Sequence, residues 1–266
     1  MKKLILCILF LFSLMVSAQE SFPYKRPELL LGKTVTIKKN YFEGLTGKYQ
    51  GFYAEKSIMK PYRKERFLDK EVMEGRKFKV TGFERLHGGN QEGFSWIELE
   101  EIATGEKLYY RYSDGNLMGY YFDVEGGLDL PADFYCDYID FESVSNYGKT
   151  ISHNTTVAYM KLIKEIAPTT GKVVYKLQIN ASDARVPKKK TGLLINFEGG
   201  KSINLPNQLF NTLDKYFTEV ALTGEQVELL KNYKVTGYRI MDLDYTFEPH
   251  NSMMLQGLMN CLVAKN

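Results

Sequence analysis

The chain has 266 residues, 14% of them aromatic, with 35 basic side chains against 32 acidic. Once Lys2 and Lys3 of a removable leader are set aside the balance is 33 to 32, so charge alone suggests no nucleic-acid or anionic-membrane partner. The length admits one large β domain or two smaller ones, and the Tyr- and Phe-rich composition favours strands over a helical bundle.

Residues 1–18 have the plan of an export signal: Lys2 and Lys3, an apolar run over residues 4–16, then the small-residue cleavage pattern Val16, Ser17, Ala18. The run is well short of the ~20 residues of a spanning helix. A membrane anchor is the rival reading, which that length disfavours, and a lipidated start at Cys7 is disfavoured because Leu6 is bulky and the apolar core follows the cysteine. The mature chain is expected to begin at Gln19, secreted or periplasmic, with no integral membrane segment.

A strand pattern opens at Gly32 and runs through Val35 and Ile37. Residues 60–66 and 188–190 are short basic runs that read as solvated loops. Residues 72–83, VMEGRKFKVTGF, are matched by residues 227–238, VELLKNYKVTGY. Lys79, Val80, Thr81 and Gly82 return as Lys234, Val235, Thr236 and Gly237, with Phe78 against Tyr233 and Phe83 against Tyr238. This predicts equivalent strands in two related units, with both valines buried, both threonines on the opposite face and a bulge or close backbone approach at each glycine.

Chemical templates are scarce along this stretch. The Gly88, Gly89 pair lacks the Gly-Lys-Ser/Thr of a phosphate loop, and Ser95 after Gly93 lacks the closing glycine of a nucleophile elbow. His87, His153 and His250 are far apart, begin no HExxH, and read as loop residues. No metal or cofactor is expected.

Trp96 to Ile102 and Lys107 to Tyr112 flank a turn at residues 103–106 and predict a hairpin. Trp96, Tyr109, Tyr110, Tyr112, Tyr120 and Tyr121 could form a sugar-stacking platform. Alternation would instead send about half of them into a core. Asp123, Glu125, Asp129, Asp133, Asp137, Asp140 and Glu142 could serve calcium or glycosidic hydrolysis, but they match no calcium loop, and turn and strand-surface roles are the favoured reading. Cys136 and Cys261 are the cysteines left after the leader, and either a bridge between them or two buried thiols fits.

A second unit is expected to open near Gly148. A further hairpin runs from Tyr159 through a turn at residues 169–172 to Leu177, and another pairs residues 193–197 with 202–205. These elements precede the repeated segment here and follow it in the first unit, which implies permuted or interlocked sheets. Leu209, Leu213 and Phe217 recur every four residues and predict a short helix, followed by a strand. Thr223 and Gln226 have capping-box spacing ahead of a helix near 224–231, and a last amphipathic helix near 252–264 presents Leu255, Leu258, Met259 and Leu262.

Residues 222–240, the Gly126 to Pro131 turn leading to Cys136, and the closing Leu258, Met259, Asn260, Cys261, Leu262 together resemble a group of uncharacterised exported proteins of Bacteroidota-type bacteria. The resemblance covers nearly the whole mature chain. It implies a cell-envelope setting and brings no catalytic residue.

The expectation is a mostly β (α+β) protein: signal 1–18, a β-rich unit over 19–142, and a second over 143–266. Each unit is a twisted sheet with a short covering helix. A non-enzymatic binding or structural module, with a glycan or another envelope protein as partner, leads. The alternative is a small glycan hydrolase using carboxylates among Asp114, Asp123, Asp129 and Asp133.

Overall fold

The computed structural model describes residues 20–39, 48–115, 119–153, 156–181, 191–212, 215–240 and 243–265. The expected signal with Cys7, the basic run at 188–190, Asn116 and Leu213 lie outside them. The protein is mostly β and divides into two units between Leu130 and Pro131. No helix among the described residues is long and apolar enough to cross a membrane.

The first unit contains β1 (Thr34–Ile37), β2 (Lys48–Gln50), β3 (Phe52–Tyr53), β4 (Phe67–Asp69), α1 (Lys70–Met73), β5 (Lys77–Arg85), β6 (Phe94–Glu101), β7 (Lys107–Ser113) and β8 (Phe122–Val124). Six of these strands form an antiparallel sheet in the order β3, β7, β6, β5, β1, β8, while β2 and β4 pair separately. Strand alternation puts Ile97, Leu99, Leu108, Tyr110 and Tyr112 on one buried face. The sheet curls strongly: Phe52 on one edge strand lies 6.1 Å from Phe122 on the other, ring centre to ring centre. The enclosed core is aromatic, and its hydroxyls are mostly satisfied by backbone carbonyls. Tyr49 donates to Lys38 O at 2.8 Å, and Tyr112 to Tyr24 O.

The second unit contains β9 (Phe141–Ser145), β10 (Gly148–Ser152), β11 (Met160–Ile166), β12 (Val173–Ala181), β13 (Thr191–Phe197), β14 (Ser202–Thr212), β15 (Lys215–Ala221), α2 (Gly224–Asn232), β16 (Val235–Ile240), β17 (Leu243–Thr246) and α3 (Pro249–Ala264). Its nine strands run β17, β16, β13, β14, β15, β12, β11, β10, β9. Helix α3 touches both β11 and β16, five places apart in that order, so this sheet wraps around the helix. Leu255, Leu258, Met259 and Leu262 are fully buried there. Cys261 on α3 is disulfide-bonded to Cys136, with Cα atoms 5.2 Å apart.

The repeated segment is a structural repeat. Val80 and Val235 are buried, Thr81 and Thr236 exposed. In β5 the register with β6 slips between Val80 and Gly82; in β16 the register with β13 slips across Val235 and Gly237. Each bulged threonine donates its hydroxyl to the carbonyl opposite the following glycine, Thr81 to Glu98 O at 3.5 Å and Thr236 to Asn196 O at 3.3 Å. The bulge partner β6 follows β5 in the chain, whereas β13 precedes β16, so the order is permuted. A buried helical residue precedes each strand, Met73 on α1 and Leu230 on α2.

One expectation fails. Residues 207–212 belong to the long strand β14 and residues 215–217 to β15, so Leu209 and Phe217 lie on strands and not on a helix. Pairing on both sides overrides the local period: β14 hydrogen-bonds to β13 and β15, and the irregular register opposite Thr191 to Leu193 accommodates Pro206, which has no N–H to give a ladder. The helix instead begins at Thr223, whose hydroxyl accepts from Gln226 N at 3.2 Å while Thr223 N donates to Gln226 Oε1 at 3.0 Å.

Candidate functional site

The residues first suspected of binding are mostly core. Tyr110, Tyr112, Tyr120 and Tyr121 are at most 4% exposed and pack on one another and on Phe22, Phe52 and Phe122. They form no stacking platform: Tyr110 and Tyr112 on β7 face the closed side of the sheet, and Tyr120 and Tyr121, just ahead of β8, are buried in the same aromatic core. Burial also drives the Tyr120 phenol well above its usual range. Trp96 is on the other face, covered edge-on by Tyr53 at 5.1 Å, and only Tyr109 of the six is partly exposed.

The candidate carboxylates are dispersed. Asp129 pairs with Lys33 at 2.6 Å, Asp123 with Lys38 at 3.8 Å, and Asp133 belongs to the second unit, ahead of the short helix Phe134–Tyr138. Asp114 has one buried oxygen with no partner and the other 3.3 Å from Arg85. Burial raises its pKa and Arg85 opposes the rise. In the acidic stretch Glu125 and Glu142 hold Lys77 and Lys149 at 2.5 and 2.8 Å. The described residues gather no three potential metal ligands at one place. His153, read as a loop residue, does follow the end of β10, but it is fully buried and its Nε2 accepts from Leu162 N at 3.0 Å. His250 lies in the first turn of α3.

The second unit holds an open cleft of about 680 Å³ that sequence reasoning missed. Its aromatic walls are Tyr159, Tyr238 and Tyr245, with Asn180, Asp244 and Asn251 as the main polar groups. Tyr238 on β16 and Tyr245 on β17 are directly opposite in register, so their rings stack at 4.8 Å with 6° between planes. The buried Phe247 meets Tyr238 edge-on, ring centres 6.3 Å apart. Asp244 is held by both arms of Arg239, at 2.7 and 2.9 Å, which keeps it ionised below the usual carboxylate range.

Tyr159 reaches the cleft by an unfavourable backbone. Val157 and Met160 exchange two hydrogen bonds of 2.9 Å around a two-residue turn, and the central residues Ala158 and Tyr159 have φ of 45° and 68°. Positive φ at both positions is the mark of a type I′ turn, for which Asn-Gly is the favoured sequence. Here the chain places alanine and a 47% exposed tyrosine instead, and Asn180 N donates to Tyr159 O at 3.0 Å to hold the turn against β12. Strained positions of this kind cost of order 1 kcal/mol or more each. No turn signature marks residues 157–160, so this turn is not legible from the chain alone.

The fold defines a two-unit, mostly β protein with an aromatic cleft. Compared with known proteins, the chain matches no family model, no curated protein and no solved structure.

Proposed function

We propose that the chain is an exported, non-enzymatic binding protein of the cell envelope whose second unit holds a saccharide in the cleft of Tyr159, Tyr238 and Tyr245. The observation that carries this reading is Tyr159, exposed and kept in a strained turn beside a stacked tyrosine pair. Aromatic faces bind the apolar faces of sugar rings, and the side chains of Asn180 and Asn251 offer donors and acceptors for ring hydroxyls. The carboxylate of the cleft, Asp244, is neutralised by Arg239 and suits hydrogen bonding better than proton transfer. Export rests on the residue 1–18 pattern, and the disulfide agrees with an oxidising compartment. Mass spectrometry of exported protein should give a mature chain starting at Gln19.

The binding test is calorimetry with cellotriose, maltotriose and N,N′-diacetylchitobiose. At least one should bind, and Tyr159→Ala should weaken it about tenfold or more. Replacing Ala158 and Tyr159 by Asn and Gly should raise stability by about 1 kcal/mol while removing binding, because the turn relaxes and the ring is lost. Equal saccharide affinity in that double variant, or no binding of any of the three at millimolar concentration, defeats the reading.

A further inference from the structure

The first unit carries a second and chemically different concavity. Arg111 projects from β7 on the face away from the aromatic core, its guanidinium carbon 4.1 Å from the centre of the Phe94 ring. Its Nε is buried and has no hydrogen-bond partner. Among the described residues, neither Arg111 nor the exposed Arg66 makes an ion pair, whereas Arg76, Arg85 and Arg239 each hold a carboxylate. A buried N–H left without an acceptor is rare in a folded chain and calls for a missing one.

Two cavities meet at these arginines. One, of about 190 Å³, is bordered by Arg66, Arg111, Gln50 and Ser113. The other, of about 280 Å³, is walled by Phe52, Ile58, Met59 and Pro61, and Tyr53, Arg66 and Arg111 border both. Among the described residues, no Asp or Glu lines either. Ile58 and Met59 are 59% and 80% exposed, an apolar lip beside a cationic floor.

We propose that this paired cavity binds an amphiphilic monoanion, a carboxylate head on a short alkyl chain. The head sits against the guanidinium groups of Arg111 and Arg66, whose planar donors match the two oxygens of a carboxylate. The chain lies along Ile58, Met59 and Pro61, where each buried CH₂ tightens binding about fourfold. Charge alone would be satisfied by any small anion, and the apolar wall alone by any alkane. Their adjacency selects a ligand with both.

Trp96 is the sole tryptophan and packs on Tyr53, so its fluorescence reports occupancy, with calorimetry as a second readout. The mature protein is titrated with octanoate, 1-octanol, acetate and phosphate at constant ionic strength. Octanoate should bind at least about tenfold tighter than octanol, acetate or phosphate. Arg111→Gln, or Arg66→Gln at the more exposed position, should erase the preference for octanoate over octanol. Met59→Gln should weaken octanoate and leave acetate unchanged. The proposal fails if octanol matches octanoate, if acetate or phosphate matches it, or if Arg66→Gln and Arg111→Gln bind octanoate normally.

Discussion

At the residue scale, the two repeat glycines are equivalent in register but not in tolerance. A Cβ on Gly82 would lie 2.9 Å from the Glu98 carboxyl group, the end of a flexible side chain that can swing away. A Cβ on Gly237 would lie 2.8 Å from the carbonyl oxygen of Tyr245, which can move only with β17. Gly237→Ala should therefore cost about 2 kcal/mol or more and Gly82→Ala under 1, as measured by urea denaturation. Truncating Val80 or Val235 to alanine should cost about 1 to 3 kcal/mol in either unit. Glu101 carries the clearest pH signature. The hydrogen bond from Arg76 at 2.6 Å, assisted by Thr104, overcomes burial and brings its pKa down to about 2. A carboxylate with a depressed folded pKa contributes stability that is full above its ordinary pKa near 4.5 and is lost as pH falls toward 2. Glu101→Gln should cost on the order of 2 kcal/mol at pH 7 and flatten the stability profile in that window, read from denaturation midpoints against pH.

At the element scale, α3 is fixed by one face. Gly257 and Cys261 are four residues apart and so lie on the same side of the helix. Cys261 bonds to Cys136, and a Cβ on Gly257 would come 2.2 Å from the Tyr135 ring, which is itself buried. Alanine normally gains about 1 kcal/mol over glycine inside a helix. Here the clash with a ring that has no room to retreat outweighs that gain, and Gly257→Ala should destabilise by roughly 1 to 3 kcal/mol in thermal unfolding. A small gain in Tm would mean that Tyr135 moves freely and that the helix is not seated by this contact.

At the scale of the whole molecule, the disulfide closes 125 residues, nearly all of the second unit. In the chain-entropy view such a closure contributes about 4 to 5 kcal/mol by restricting the unfolded ensemble. Cys136→Ser with Cys261→Ser should lower that unit's stability by about this amount in guanidinium denaturation followed by circular dichroism. The loss should be smaller if the unfolded unit stays compact.

What was legible in the chain was local. Alternation announced the Trp96 and Met160 hairpins, Thr223 and Gln226 announced α2, and the returning Lys-Val-Thr-Gly announced a bulge with the same valine, threonine and glycine roles in both units. Each of these depends on neighbours a few residues away, or on a pattern that repeats. Spatial partnership decided the rest. Leu209 and Phe217 joined strands because ladder partners from β13 and β12 outweighed a four-residue period. Cys136 and Cys261, open to two readings in sequence, were joined when α3 seated on the Phe134–Tyr138 turn. The tyrosines from 110 to 121 went inside because the sheet curls until its edge strands meet. Tyr159, Tyr238 and Tyr245, separated by up to 86 positions in the chain, came together in one cleft, as did Arg66 and Arg111 in another. The sheet curvature that brings them together is a sum of twists over many strands, and no short stretch of sequence carries that sum.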